Sequence, residues 1–271
     1  MPSAAALRVG TLNLASGRGP DGRVLAPAAL AAAVAGFDVD VLAVQEVDAG
    51  QGRSGGTDQA AVLAGALGAA DWRHAATLDG TPSPFRGTWT AAEPALRGPD
   101  RAVPGPAYGV ALLCCRPVRA WSVLGLGSGR ARLPVRAPDP ATGRPRVWWV
   151  PDEPRVAVAA CLDGWTVVAT HLSFSPPTAV RQLRRLRRWA ASLPGPVVVA
   201  GDLNLPGGVP ARLLGATPLV RAASFPASGP RLQLDHLLAL GPVTARDAGA
   251  RTLPVGDHRA LAVTVVPAGC G

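Results

Sequence analysis

The chain has 271 residues, 48% of them hydrophobic, and a formal net charge of +9. That apolar share is ample for a large core, and no run approaches the roughly 18 apolar residues of a membrane span, so a soluble protein without a transmembrane segment is expected. All 27 basic residues are arginine, which beside heavy Ala, Gly and Pro use looks like codon bias, so the positive balance favours polyanionic partners only lightly.

On a soft prior of roughly 150 residues per domain the chain is long, but no linker is visible, and one domain over 1–271 is expected. Met1 to Ala6 is too short and uncharged for a signal peptide. A cytoplasmic monomer is expected. Cys114, Cys115, Cys161 and Cys270 lack zinc spacing and fit a reduced compartment, with the Cys114-Cys115 pair read as core.

In chain order, Leu7 to Asn13 alternates like a strand, and Val39 to Gln45 forms another that ends at Glu46. Pro27 to Phe37 and Gln59 to Ala69 read as helices. Residues 72–107, rich in Pro and Gly, read as a long irregular loop of the kind that shapes substrate sites, and His74 within it reads as a loop or surface residue. Strands are expected at Gly109–Cys114, Val118–Leu124, Val147–Val150, Arg155–Leu162 and Thr166–Thr170, the last two joined by an Asp163-Gly164 hairpin turn. Residues 125–145 read as a second Gly-, Pro- and Arg-rich insertion.

Val180 to Leu193 carries Val180, Leu183, Leu186, Trp189, Ala190 and Leu193 at helical spacing, with arginines mostly opposite. It reads as a crossover helix whose arginine face is solvated, a nucleic-acid role being the minority reading. Val197 to Ala200, Leu232 to Leu240 and Leu261 to Val266 complete the strands. Many strands and few helices suggest an α/β four-layer sandwich of two packed mixed β-sheets, although composition alone does not choose it over a doubly wound sheet.

The chemistry sits in polar clusters at strand ends: Asn13, Gln45-Glu46, Thr170-His171, Asp202 with Asn204, Asp235-His236 and Asp257-His258. Carboxylate and amide oxygens suit a hard cation such as Mg²⁺, and Glu46, Asn13 and Asp257 are the candidates to supply them. Hydrolysing a phosphate ester needs such a cation, a base for water, and donors to the pentavalent state; acids, amides and two histidines cover those roles. Each motif has a blander reading. Asp202 and Asn204 cap turns well, and His258 alone would pass for a core histidine. His236 reads as structural. Trp148-Trp149 reads as strand packing before it reads as a base-stacking platform.

Taken in order, Thr11-Leu12-Asn13, Gln45-Glu46-Val47-Asp48, Tyr108 to Leu113, Glu153-Pro154-Arg155, Thr170-His171-Leu172, Gly201-Asp202-Leu203-Asn204, Leu234-Asp235-His236 and Gly256-Asp257-His258 resemble the endonuclease/exonuclease/phosphatase superfamily. The resemblance spans residues 7 to 266 and implies a DNase I-like fold.

It further implies that Glu46 is the principal Mg²⁺ ligand, with Asn13 and Asp257 as metal or water-shell ligands and Mn²⁺ as a substitute. Asp202 is implied as the residue that activates water, Asn204 as a donor to the phosphoryl oxygens, and His258, held by Asp235, as a cationic phosphate contact. His171 is implied as a phosphate contact or proton donor, and Arg155 as a forked phosphate contact. Gly256 stands where many relatives carry Ser, a departure read as minor.

The expected activity is Mg²⁺-dependent phosphoester hydrolysis by in-line water attack, as a nuclease-type phosphodiesterase on nucleic acid. The alternative is a phosphatase or phosphodiesterase on an inositol phosphate or phospholipid head group. A non-catalytic binding module is the third reading, and it predicts losses among Glu46, Asp202, Asn204, Asp257 or His258 that the sequence does not have.

Overall fold

A computed structural model describes residues 5–83, 88–139 and 142–268; Cys270, the first four residues and parts of both expected loops lie outside that range. Two mixed sheets form its centre. The first has seven strands, β1 (Leu7–Asn13), β2 (Val41–Ala49), β3 (Asp71–Gly80), β4 (Trp89–Ala91), β5 (Ala107–Cys114), β14 (Val243–Arg251) and β15 (Ala260–Pro267), in the order β14-β15-β1-β2-β5-β3-β4. The second has six, β6 (Ala120–Gly127), β9 (Arg155–Cys161), β10 (Thr166–His171), β11 (Val197–Asp202), β12 (Thr217–Pro218) and β13 (Asp235–Leu240), in the order β12-β13-β11-β10-β9-β6. A separate hairpin joins β7 (Arg132–Pro138) to β8 (Pro145–Pro151).

Three apolar cores separate four layers. Between the sheets lie Val9, Val41, Val110, Val158, Val198 and Val263, all buried. On the far side of the first sheet, helices α1 (Pro27–Val34) and α2 (Gln59–Leu67) cover Leu12, Leu42, Val44 and Leu113. On the far side of the second, α3 (Pro176–Ala190) and α4 (Val209–Leu214) cover Val168, Val199 and Leu238. Central strands buried on both faces must be continuously apolar, which is why Val197 to Ala200 reads as it does.

Sequence sets the helix ends as well. Pro27 opens α1 where a missing N–H costs nothing, and the Asp58 side chain accepts from Ala61 N at the start of α2. Helix α3 presents Leu183 and Leu186 to the sheet, where truncating either to Ala costs about 2–5 kcal/mol, and leaves its five arginines exposed.

Several expectations need correction. Residues 72–107 hold β3 and β4, because Trp72, His74 and Leu78 pair across Leu113, Ala111 and Tyr108 of β5. His74 is buried, with Nε2 3.4 Å from the Val47 carbonyl. Residues 125–145 hold the end of β6 and most of the β7–β8 hairpin, whose prolines are tolerated because a two-stranded ribbon has only edge strands. Trp149 of that hairpin is exposed rather than packed. Strand β14 matches no expected strand; its sequence reads polar because it is an exposed edge.

Candidate active site

The parallel pairs β1–β2 and β10–β11 end side by side, so Asn13 is level with Gln45, and His171 with Asp202. Antiparallel β13 starts where β11 ends, placing Asp235 opposite Asp202. One end of the sandwich therefore gathers side chains from five strands and their flanking turns.

Glu46 reaches this end through a bulge. The β2–β5 register shifts between Val44 and Val47, and Glu46 takes a left-handed backbone at φ 56°, a conformation that costs a non-glycine residue about 1 kcal/mol or more. Asn204 is left-handed too, at φ 50°. Ala15 and Ser16, which follow Asn13, and Asp247 of β14 are left-handed as well.

Asp202 Oδ2 is the hub. Asn13 Nδ2 donates to it at 3.1 Å and to Glu46 Oε1 at 3.2 Å, so one amide ties both carboxylates together. His171 Nε2 lies 3.6 Å and His258 Nε2 3.9 Å from the same oxygen. Asp202 Oδ1 accepts from the Asn204 backbone N–H at 3.0 Å, and the Asn204 amide donates to the Leu172 carbonyl. Burial first, and then the charge of Asp235, push Asp202 up to about 7 despite His258 beside it.

The two histidines are held in different charge states. His258 Nδ1 lies 2.7 Å from Asp235 Oδ2; burial opposes its protonation, but Asp235 outweighs that and lifts it to about 9. His258 is a cation at neutral pH. The ring also packs on Phe225, with centroids 4.8 Å apart.

His171 is neutral, because burial and the neighbouring Arg155 and His258 hold its pKa well below the usual range. Arg155 Nη1 sits 3.2 Å from His171 Nδ1 and the Asn204 amide Nδ2 lies 3.1 Å from His171 Nε2, so a donor group faces each ring nitrogen.

Around Glu46, burial is the main force raising its pKa, and Asp257 and Glu153 add to it. Asp257 is exposed, with Oδ1 3.9 Å from His258 Nε2. Glu153 pairs with buried Arg155 at 3.3 Å. Glu46 and Asp202, both raised chiefly by burial, present carboxylate oxygens of the kind a hard divalent cation takes, and Glu46, Asn13 and Asp257 could hold one. Asp202, Asp235 and His258 also bring ligand atoms within 4.8 Å of one another, but the His258 proton and the Asp235 contact occupy that trio.

All nine residues named from sequence thus meet at one end of the fold. Sequence reasoning gave no role to Tyr108, Glu153 or Phe225. Tyr108 is buried with its hydroxyl in the field of Glu46, and Glu153 is one of only three glutamates, a signal that was present. Gly256 is more than a minor departure: at φ 78° a Cβ there would lie 2.4 Å from the Asn13 carbonyl. Its absence lets the chain carrying Asp257 close on Asn13. Beside Asp257 a cavity of about 340 Å³ is lined by Arg18, Pro226 and Leu253 among others.

The profile of the Endonuclease/Exonuclease/phosphatase family matches residues 10–258. The chain belongs to this family. No curated protein sequence matches it. Its fold is similar to that of an endonuclease/exonuclease/phosphatase from Beutenbergia cavernae (20% identity, TM-score 0.65, 98% of this chain and 72% of that one). It is also similar to a mannosyl-6-phosphatase from Bacteroides thetaiotaomicron (14%, 0.59, 96% and 99%). A third is a beta toxin from Staphylococcus aureus with bound magnesium ions (11%, 0.54, 97% and 100%). Members of the endonuclease/exonuclease/phosphatase family are hydrolases of phosphoester bonds, and this chain has their DNase I-like fold.

Proposed function

We propose that this chain is a Mg²⁺-dependent phosphoesterase that cleaves its substrate by in-line attack of water, acting as one domain. The observation that carries the reading is the hub at Asp202 Oδ2, where Asn13, His171 and His258 converge on one buried carboxylate tied to Glu46.

Glu46, Asn13 and Asp257 hold the cation, which supplies Lewis-acid stabilisation of charge on the non-bridging phosphoryl oxygens. The magnesium ions bound by the structurally similar beta toxin support the choice of cation. Asp202, near 7, is a base matched to neutral pH and takes the proton of the attacking water. The cationic His258 donates through Nε2 to a phosphoryl oxygen, with Asp235 fixing ring and charge. His171, oriented by Arg155 and Asn204, serves the phosphate or the leaving oxygen. Asn204 adds a donor once its amide turns from Leu172, and Arg155 serves phosphate through His171 and through its own field.

Net charge favours a nuclease-type phosphodiesterase. The exposed arginines of α3, however, lie along the flank of the second sheet, while the site end carries exposed Phe174 and Leu232. That distribution favours the second reading, a small or lipid-linked phosphate ester.

The test is bis-p-nitrophenyl phosphate hydrolysis with Mg²⁺, with EDTA, and with Asp202→Ala. Turnover is expected to vanish with EDTA and to fall by about 10²–10⁴-fold in the variant. Turnover indifferent to both contradicts the mechanism. Plasmid nicking against release from a panel of phosphate esters separates the two substrate readings.

A further inference from the structure

The large apolar side chains exposed among the described residues are Val147 (54%), Trp149 (60%), Phe174 (40%), Val209 (37%) and Leu232 (47%). Each lies in a segment next to a strand end that carries the site. Phe174 comes three residues after His171, Val209 five after Asn204, Leu232 three before Asp235, and Trp149 six before Arg155. Of these, Val147 and Trp149 share a face of one hairpin, and exposed apolar side chains grouped in this way mark interaction surfaces.

That hairpin, β7–β8, stands next to the site. It is inserted between Gly127 of β6 and Arg155 of β9, which pair with each other, so the ribbon leaves the sheet beside Arg155. Its base is clamped: buried Asp152 accepts from Gly129 N and from Ser173 Oγ, both at 2.7 Å, tying the hairpin to the segment that follows His171. Val147 and Trp149 are two apart on one strand and share a face, with Pro134 opposite Trp149 and Arg132 opposite Pro151. Residues 130–151 carry five arginines against one aspartate. Arg130, Arg132 and Arg144 are exposed, and Arg132 donates to the Trp149 carbonyl.

We propose that this end of the molecule docks on an anionic phospholipid bilayer, Val147 and Trp149 entering the interface and Arg130, Arg132 and Arg144 meeting the head groups. Aromatic and aliphatic side chains ringed by arginine are the chemistry of such an interface. Single-stranded nucleic acid fits less well, since on this face of the hairpin Trp149 alone offers a ring for base stacking, beside Val147 and Pro134. Resting on the function proposed above, this places a lipid head group at the mouth of the site.

The test uses the full chain in EDTA, so that binding is read without turnover. Co-sedimentation with phosphatidylcholine–phosphatidylserine vesicles (roughly 2:1) is expected, with about tenfold weaker binding to pure phosphatidylcholine and a strong loss with salt. Val147→Ser with Trp149→Ser is expected to weaken vesicle binding by about tenfold or more while leaving bis-p-nitrophenyl phosphate hydrolysis unchanged, which also reports that the variant is folded. Vesicle binding absent at low salt, equal for the variant, or replaced by an oligonucleotide or self-association defect overturns the proposal. Failed hydrolysis with intact vesicle binding would instead strike the catalytic reading alone.

Discussion

His258 Nδ1 lies 2.7 Å from Asp235 Oδ2, and this buried pair fixes the charge of one of the two imidazoles beside the Asp202 hub. In the metal-free protein, His258 is expected to titrate at about 9 by NMR, and Asp235→Asn to bring it down toward or below 6.5. The raised pKa also has a stability consequence. The folded state holds this proton more tightly than the unfolded chain, so the stabilisation is complete below 6.5 and is lost as pH rises through about 9. A His258 midpoint unmoved by Asp235→Asn would break the pairing argument.

Asp202 has the opposite consequence for an acid. Burial raises it to about 7, so its ionisation disfavours the fold as pH rises from near 4 to 7. Asp202→Asn is therefore expected to raise the Tm of the metal-free protein at pH 8 while removing activity. A lowered Tm would show that the carboxylate is held by contacts rather than strained by burial.

Glu46→Gln tests cation binding without chemistry. Mg²⁺ at a hundred times its dissociation constant stabilises the folded state by about 2.7 kcal/mol, and thus raises Tm by roughly 5–10 °C. Glu46→Gln is expected to abolish that rise, and differential scanning fluorimetry at neutral pH reads it. An unchanged rise would put the ion elsewhere.

His74 gives an acid-side prediction remote from the chemistry. Burial lowers it to about 4, so the unfolded chain binds a proton that the folded one does not between pH 6.5 and 4. Stability falls by up to about 3 kcal/mol as pH drops through that window. Urea midpoints at pH 5 and 7.5 measure it, and His74→Gln should flatten the difference.

Much of this was legible in the residues. Val197 to Asp202 reads as a buried strand ending in a reactive acid because a central strand must be apolar on both faces. The motifs at Asn13 and Glu46, and those at His171 and Asp202, converge because parallel strands finish at the same end of a sheet, and Asp257 joins them because antiparallel β15 starts there. Other features depended on pairing that a single strand does not reveal. The left-handed Glu46 exists only through its mismatch with β5, and His74 is buried only because β5 and the Arg97 segment flank it. Strand β14 escaped because an edge needs no apolar face, and its Val243-Thr244-Ala245-Arg246 run looks like loop.

Gly256 supplies a prediction on geometry. Gly256→Ser adds a Cβ at 2.4 Å from the Asn13 carbonyl in a left-handed backbone. It is expected to weaken Mg²⁺ binding and activity together by about tenfold or more, by moving Asp257 away from Asn13. A variant with unchanged activity would mean the backbone here relaxes freely.

The central claim is that carboxylates and an amide from separate strands hold one hard cation beside Asp202. A crystal grown or soaked with Mn²⁺ tests it most directly, through the anomalous difference map. An ion within about 2.6 Å of the Glu46 carboxylate, with Asn13 or Asp257 oxygens around it, is the predicted result. An ion held instead by Asp202, Asp235 and His258, or none near Glu46 in an intact site, would contradict it.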